Sequence, residues 1–486
     1  MAPTERTVDD GRTRNVAREP VRASDAEQRP QAMAALRIGD APLTPGVIAA
    51  AARRGPLSVE LTPGARERMA TARAVLDRAA ARRAVYGRTT GVGANCEVVV
   101  EDDRRGHALR LLRSHAGGVG EPLPEEVVRG TILVRLSQMA GGGGGHRPQV
   151  ASALVSLLQA DALPELQDLG GLGTGDLSVL AQLGLALVDD RGFALAEGDA
   201  LPFISSNAAT LAVAALAWTD LRELLDAGLG VAATTFRAVD GNVQAYAAPV
   251  AAARPLPGLV AVAGRLRALT DGAGPPARLQ DPYGLRCLPP VGGALLDALD
   301  HLYDVLSVEV VAAAENPLVA GDEVLHHGGF HGAPVALALD TVRLALVAFC
   351  QLAVARLSHL MEPRLTGLSP FLAAPAPGSS GVMIAEYLAA DALARLRVEA
   401  APVVPLSAVI SRGKEEHASF AWQGALQARR AVEHARTVLA LEHLAAGRAL
   451  AMKRGEPAPE DRPLGEDAAR AAAALAGVAG EVRRST

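Results

Sequence analysis

Five long segments rich in alanine, leucine and valine, at about 208–234, 290–314, 333–361, 380–399 and 417–446, constrain the fold of this chain more than anything else in it. Each carries Arg, Asp and Glu at intervals that leave one solvated stripe along a helix. Segments of that length read as a bundle of long helices. Only 3% of the residues are aromatic while 49% are hydrophobic. Small and aliphatic side chains must therefore fill the interior, which suits closely packed helices better than a strand-rich sandwich. Glu97–Val100 is the one brief run in the first part of the chain that reads as β. The expected fold class is all-α.

The first part of the chain is more broken. Residues 1–35 are rich in Arg, Asp, Glu and Pro without periodicity and read as a mobile tail. Residues 36–207 read as an N-terminal helical domain, and 208–486 as the long-helix bundle. Helical spacing runs from Gly46 to Ala84 and stops at the glycine-rich loop Tyr86–Gly93. Two helices are expected across 104–140, split by Gly117–Pro122, and another over Pro148–Ala162. The Pro-rich stretch Glu456–Pro463 reads as a surface connector.

Charge and cysteine usage exclude several classes of function. A formal net charge of −5 over 486 residues leaves no basic footprint for nucleic acid or an anionic membrane. Cys96, Cys287 and Cys350 are widely spaced and odd in number, as expected of reduced thiols in a cytoplasmic protein. The N-terminus lacks the apolar stretch of a secretory signal. The apolar run Leu344–Cys350 is short and flanked by charge, so no membrane span is expected. Gly141–Gly145 lacks the following Lys-Ser/Thr of a phosphate loop, and Glu415-Glu416-His417 lacks a second histidine at metal spacing. Neither a nucleotide nor a metal is expected.

The stretch that carries chemistry is Gly171-Leu-Gly-Thr-Gly-Asp176, which opens a helical pattern. Two glycines around Thr174 permit a tight backbone in which the amide nitrogen of Gly175 could approach the carbonyl carbon of Gly173. Taken alone, Gly-Thr-Gly-Asp ahead of a helix is an ordinary loop with an N-cap. Its company alters that reading. In order along the chain stand Tyr86-Gly-x-x-Thr-Gly-x-Gly93, Ser114-His115-Ala-Gly-x-Val-Gly-Glu-Pro122, Gln280-Asp-Pro-Tyr283-x-Leu-Arg286-Cys287, Glu315-Asn-Pro317, Gly329-Phe330-His331 and Lys414-Glu415-Glu-His-x-Ser419.

This ordered set, from about residue 40 to about 450, resembles the aromatic amino-acid ammonia-lyases (the histidine, phenylalanine and tyrosine lyases). The resemblance implies an all-helical lyase fold and a homotetramer with shared active sites. It also implies a methylidene-imidazolone (MIO) prosthetic group, formed by cyclisation and double dehydration of the triad Gly173-Thr174-Gly175. By the same resemblance Tyr86 is the base that takes the substrate β-proton, a task that asks for a phenol pKa lowered by its surroundings. Arg286 grips the substrate carboxylate through two parallel donors. Tyr283 supports the prosthetic group and the amine, Gln280 is a nearby hydrogen-bonding amide, and Phe330 packs near the prosthetic group or the ring. His115 and Glu415 together point to a polar aromatic substrate such as histidine.

Four departures surround the triad. The family's Ala-Ser-Gly is replaced by Gly173-Thr174-Gly175, so a dehydrated Thr174 would carry an extra methyl. The family's Asn-Gly-Thr segment is replaced by Ile204-Ser-Ser-Asn207-Ala-Ala, so that either Asn207 substitutes from a shifted position or the amide is lost. Gly329 stands where an asparagine is usual, and Val179 and Gln182 replace a proline and a histidine. The expected function is elimination of ammonia from an aromatic or heteroaromatic L-amino acid, histidine-like, to an α,β-unsaturated acid. An aminomutase of the same type, or a non-cyclised homologue with different chemistry or a ligand-binding role, are the alternatives.

Overall fold

The computed structural model describes residues 35–101 and 103–485; the tail expected at the N-terminus lies, up to residue 34, outside them. The fold is helical, as expected, and it is organised around one helix, Ala208–Ala238, buried along nearly its whole length. Its alanines and glycines are what let neighbours close in on all sides. A Cβ on Gly228 would stand 2.6 Å from the Phe349 ring, and one on Gly230 would stand 2.6 Å from Val478. Around it pack the long helices Leu288–Glu309, Ala333–Met361, Ala421–Lys453 and Gly465–Ser485, with Ile384–Glu399 outside them. Gly465–Ser485 is a helix beyond the five segments that the sequence singles out.

A buried ion pair locks this bundle. Arg356 donates to both carboxylate oxygens of Glu442 at 2.7 and 2.8 Å, and Thr235 of the central helix donates to the same group at 2.7 Å. Three helices thus share one buried polar knot. Satisfying every charge in place is what makes such a knot tolerable.

The N-terminal part supplies shorter helices, Pro45–Ala52, Pro63–Ala80, Arg104–His115, Glu125–Ala140, Pro148–Ala160 and Leu177–Asp189. Thr44 and Thr62 cap the first two, each ahead of a proline whose fixed φ suits the first helical position. The β expectation needs correcting. Glu97–Val100 is not a strand; only Val99 makes an isolated bridge, to Thr90. The strands are elsewhere: Leu36–Ile38 pairs in parallel with Val59–Leu61, and Leu318–Ala320 pairs antiparallel with Glu323–Leu325. Each has three residues, too few for a period-2 pattern to show.

Two helical stretches, Ala200–Ala238 and Ala333–Met361, are apolar and long enough to cross a membrane. The apolar window of the first is entirely buried inside the fold and that of the second more than half buried.

Candidate active site

Four helices begin at the Gly173-Thr174-Gly175 loop. Asp176, Asn207, Gly332 and Phe420 are the N-cap residues of Leu177–Asp189, Ala208–Ala238, Ala333–Met361 and Ala421–Lys453. Each cap residue either adjoins the triad or hydrogen-bonds to the loop that carries it. Unpaired amides and aligned peptide dipoles at helix N-termini favour negative charge, so the loop sits in a field that stabilises electron-rich oxygen.

The bonds are specific. The Gly173 carbonyl oxygen accepts from the Ser419 hydroxyl at 2.6 Å and from the Gly332 N–H at 2.9 Å. The Gly175 N–H donates to Asn207 Oδ1 at 2.8 Å, and Asn207 Nδ2 donates to the Phe330 carbonyl at 2.6 Å. Phe420 N–H donates to Leu172 O, Gln423 to Gly171 O, and the Trp422 indole to Asp168 O. Gly173 and Gly175 have φ of +72° and +104°, conformations that L side chains rarely adopt. Both are buried, and Thr174 between them is half-buried. The shifted Asn207 therefore does reach the triad.

Asp176 holds the N-cap position of its own helix, but its side chain makes no bond there and caps the central helix instead. Its carboxylate accepts from the Thr210 N–H at 2.8 Å and the Thr210 hydroxyl at 2.7 Å, on the first turn of the central helix. It is fully buried, and burial pushes its pKa up to about 6 against the pull of these donors.

Beneath Asn207 lies a second buried network. Arg135 donates to the carbonyls of Pro202 and Phe203 and to Glu315 Oε1 at 2.9 Å, while Ser206 donates to Gln138 Oε1 at 2.7 Å. These bonds hold the segment leading into Asn207. His146, 2.8 Å from Arg135, is held well below the usual histidine range by burial and by that guanidinium.

Tyr86 and Glu415 belong to one cluster. The Gly93 N–H donates to the Tyr86 hydroxyl at 2.7 Å, and the Ala94 N–H donates to Ser411 Oγ at 2.9 Å. Ser411 and Glu415 sit on a turn closed by the Ile410–Glu415 bridge, and Glu415 Oε1 lies 3.3 Å from where a Cβ on Gly93 would be. Four residues further on, the same segment delivers Ser419 to the triad. The Tyr86 phenol is not lowered, contrary to the expectation for a base. Burial raises it, the Gly93 hydrogen bond only partly offsets this, and the negative charge of Glu415 adds to the rise.

His115 ends the helix Arg104–His115, its Nδ1 2.9 Å from the Leu111 carbonyl and 3.0 Å from Ser114 Oγ. Its loop reaches the triad's helix where the Gly117 N–H donates to Ser178 Oγ at 3.1 Å. Phe330 is half-buried and meets Asn207 through its carbonyl. His331 Nε2 and His417 Nδ1 are 3.0 Å apart with stacked rings, a pairing the sequence had not suggested. Among the described residues no group of three or more His, Cys, Asp or Glu is arranged to hold a metal.

Gln280, Tyr283 and Arg286 are not brought to this site within one chain. The Gly284 carbonyl accepts from Arg356 at 3.0 Å, near the C-terminal end of Ala333–Met361, whereas Gly332 at the other end of that helix holds the triad. From Gly332 to Arg356, at 1.5 Å per helical residue, is about 36 Å. Gln280 is exposed, Tyr283 is 65% exposed, and the Arg286 guanidinium lies 4.4 Å over the Tyr283 ring. Ser419, Gly332 and Ser411 are site residues to which the sequence assigns no part. Ser419 had a signal, since it closes the Lys414–Ser419 string, but its partner is 246 positions away.

The family model for aromatic amino acid lyases matches residues 43–476. A histidine ammonia-lyase of Symbiobacterium thermophilum is 36% identical over 449 residues, covering 86% of this chain and 88% of its own. The tyrosine aminomutase of Streptomyces globisporus superposes with a TM-score of 0.85 at 25% identity, over 93% of this chain and 98% of that one. The histidine ammonia-lyase of Trypanosoma cruzi does so with a TM-score of 0.82 at 25% identity, over 93% and 95%.

Proposed function

The chain belongs to the aromatic amino acid lyase family, and from that membership we propose that it is a carbon–nitrogen lyase releasing ammonia from a histidine-like L-amino acid. In this reaction the Cβ–H and Cα–N bonds break, a Cα=Cβ bond forms, and ammonia leaves. The observation that carries the reading is that one continuous segment, Ile410–Phe420, ties the Tyr86–Glu415 cluster to the triad. This continuity supports a proton acceptor and an amine site acting on one substrate, as a β-elimination requires.

The triad fits conversion to the MIO-type group: its two reacting backbone positions, the Gly173 carbonyl and the Gly175 nitrogen, are held by donors and an acceptor respectively. When formed, the group supplies an electrophilic carbon that binds the substrate covalently and improves the leaving group. Tyr86 takes the β-proton, Asn207 keeps the triad in place, and Glu415 and His115 face the polar ring. Phe330 lines the space between them.

Arg286 for the carboxylate, Tyr283 and Gln280 come from a second copy of the chain, because one chain holds them at the far end of the bundle. A homotetramer with shared sites accommodates this, and Leu337, Leu344, Ile384, Tyr387 and Val398, all at least half exposed on neighbouring helices, provide apolar surface for it. The arrival of a guanidinium near Tyr86 would also oppose the rise in its pKa. Three free cysteines fit a cytoplasmic enzyme.

Mass spectrometry of the peptide spanning Gly173–Gly175, together with ultraviolet detection of the conjugated product from L-histidine, tests the reading. A peptide lighter by two waters and a rising product absorbance are expected. A peptide of unmodified mass in folded, assembled protein would overturn it and favour the non-cyclised alternative. Product NMR separates elimination from amine migration to the β-carbon.

A further inference from the structure

We propose that Ser419 drives maturation of the triad, its hydroxyl and the Gly332 N–H forming an oxyanion-binding pair on the Gly173 carbonyl. The inference rests on the reading that the triad cyclises. An amide nitrogen is a poor nucleophile and an amide carbonyl a poor electrophile, so ring closure needs help at both ends. At the electrophilic end two donors converge on one oxygen, at 2.6 and 2.9 Å, within the range that stabilises a developing oxyanion. Ser419 is only 4% exposed, so water does not compete for its proton. Its oxygen accepts from the Ala421 N–H at 3.2 Å, which leaves its own hydrogen directed at Gly173. At the nucleophilic end, Asn207 accepts the Gly175 N–H and increases electron density on that nitrogen.

The steps balance. The Gly175 nitrogen bonds to the Gly173 carbonyl carbon, the C=O π pair moves to oxygen, and the Gly175 proton transfers to that oxygen. The resulting hydroxyl departs as water with the Thr174 N–H proton, leaving a C=N bond. Thr174 then loses its Cα hydrogen and its hydroxyl as the second water, giving a C=C bond. No oxidant or reductant is consumed. Ser419 touches the oxygen that accumulates charge in the first step and leaves in the second.

The test follows the mass of the triad peptide with time after synthesis in wild type, Ser419→Ala and Ser419→Cys, with circular dichroism and thermal melting as the check on folding. Wild type should lose two waters. Ser419→Ala should fold yet lose them about 100-fold more slowly, the size of effect of removing one oxyanion donor. Ser419→Cys, which keeps the shape and a weak S–H donor, should fall between, and it carries the test should the alanine variant fail to fold. Variants that mature as fast as wild type would overturn the role of Ser419 while leaving cyclisation intact. Wild type that loses no water would overturn the cyclisation reading and this inference with it.

Discussion

Restoring the family's alanine to the triad should damage this protein. In Gly173→Ala the new Cβ would lie 2.3 Å from Ser419 Oγ, 2.5 Å from the Ala421 backbone nitrogen and 3.0 Å from the Ala421 Cβ. The hydroxyl can rotate away, at the loss of one hydrogen bond, about 1 kcal/mol. The Ala421 nitrogen cannot, because it begins a 33-residue helix packed into the core. Overpacking against such backbone costs about 1–3 kcal/mol, and an alanine at φ +72° adds about 1–2 kcal/mol. The total is roughly 3–6 kcal/mol. Urea denaturation at fixed protein concentration, followed by far-ultraviolet circular dichroism, should show that loss. Mass spectrometry of the same samples should show delayed dehydration. A variant within about 1 kcal/mol of wild type and dehydrated at the normal rate would refute the reasoning, since Gly173 could not then be pressed against Ser419 and Ala421.

Four further outcomes are expected. Tyr86→Phe should leave the fold and the triad mass unchanged while lowering turnover by about 10²–10⁴-fold, and a wild-type rate would remove Tyr86 from the mechanism. Asp176 has a folded pKa of about 6, above its unfolded value near 4, so the native state binds the proton more tightly. Stability should fall as pH rises from about 4 through 6, by an amount on the order of 3 kcal/mol, and Asp176→Asn should flatten that slope in a pH series of melts. Glu442→Ala leaves the buried Arg356 guanidinium without its carboxylate, which should cost about 3–5 kcal/mol in the same denaturation assay. Cys350 is buried with its thiol pushed up to about 12, so iodoacetamide should spare it in native protein and label it after unfolding.

The long helices were legible because each is an extended periodic segment whose apolar face must be covered. The bounds of Ala333–Met361 coincide with the expected ones, and those of the other four differ by a few residues at one or both ends. The helix Gly465–Ser485 was passed over, and the three-residue strands carry too little pattern to be read. At the site, the ordered motifs placed Tyr86, Glu415, Asn207 and the triad in one family without saying which of them meet. Within one chain burial and Glu415 both push the Tyr86 phenol upward, against the lowering expected of a base, and neither influence is visible in a linear string.

The sequence by itself determined the helical class, through periodicity, and the family, through ordered motifs, because both are written in local residue patterns. Only the tertiary structure decided what surrounds the triad. Four helix N-termini meet there, Ser419 bonds to a carbonyl 246 positions away, and the Tyr283–Arg286 turn docks through Gly284 on Arg356, about 36 Å along Ala333–Met361 from Gly332. Those relations depend on how helices dock over long separations in the chain, and side-chain packing sets them with no local signature.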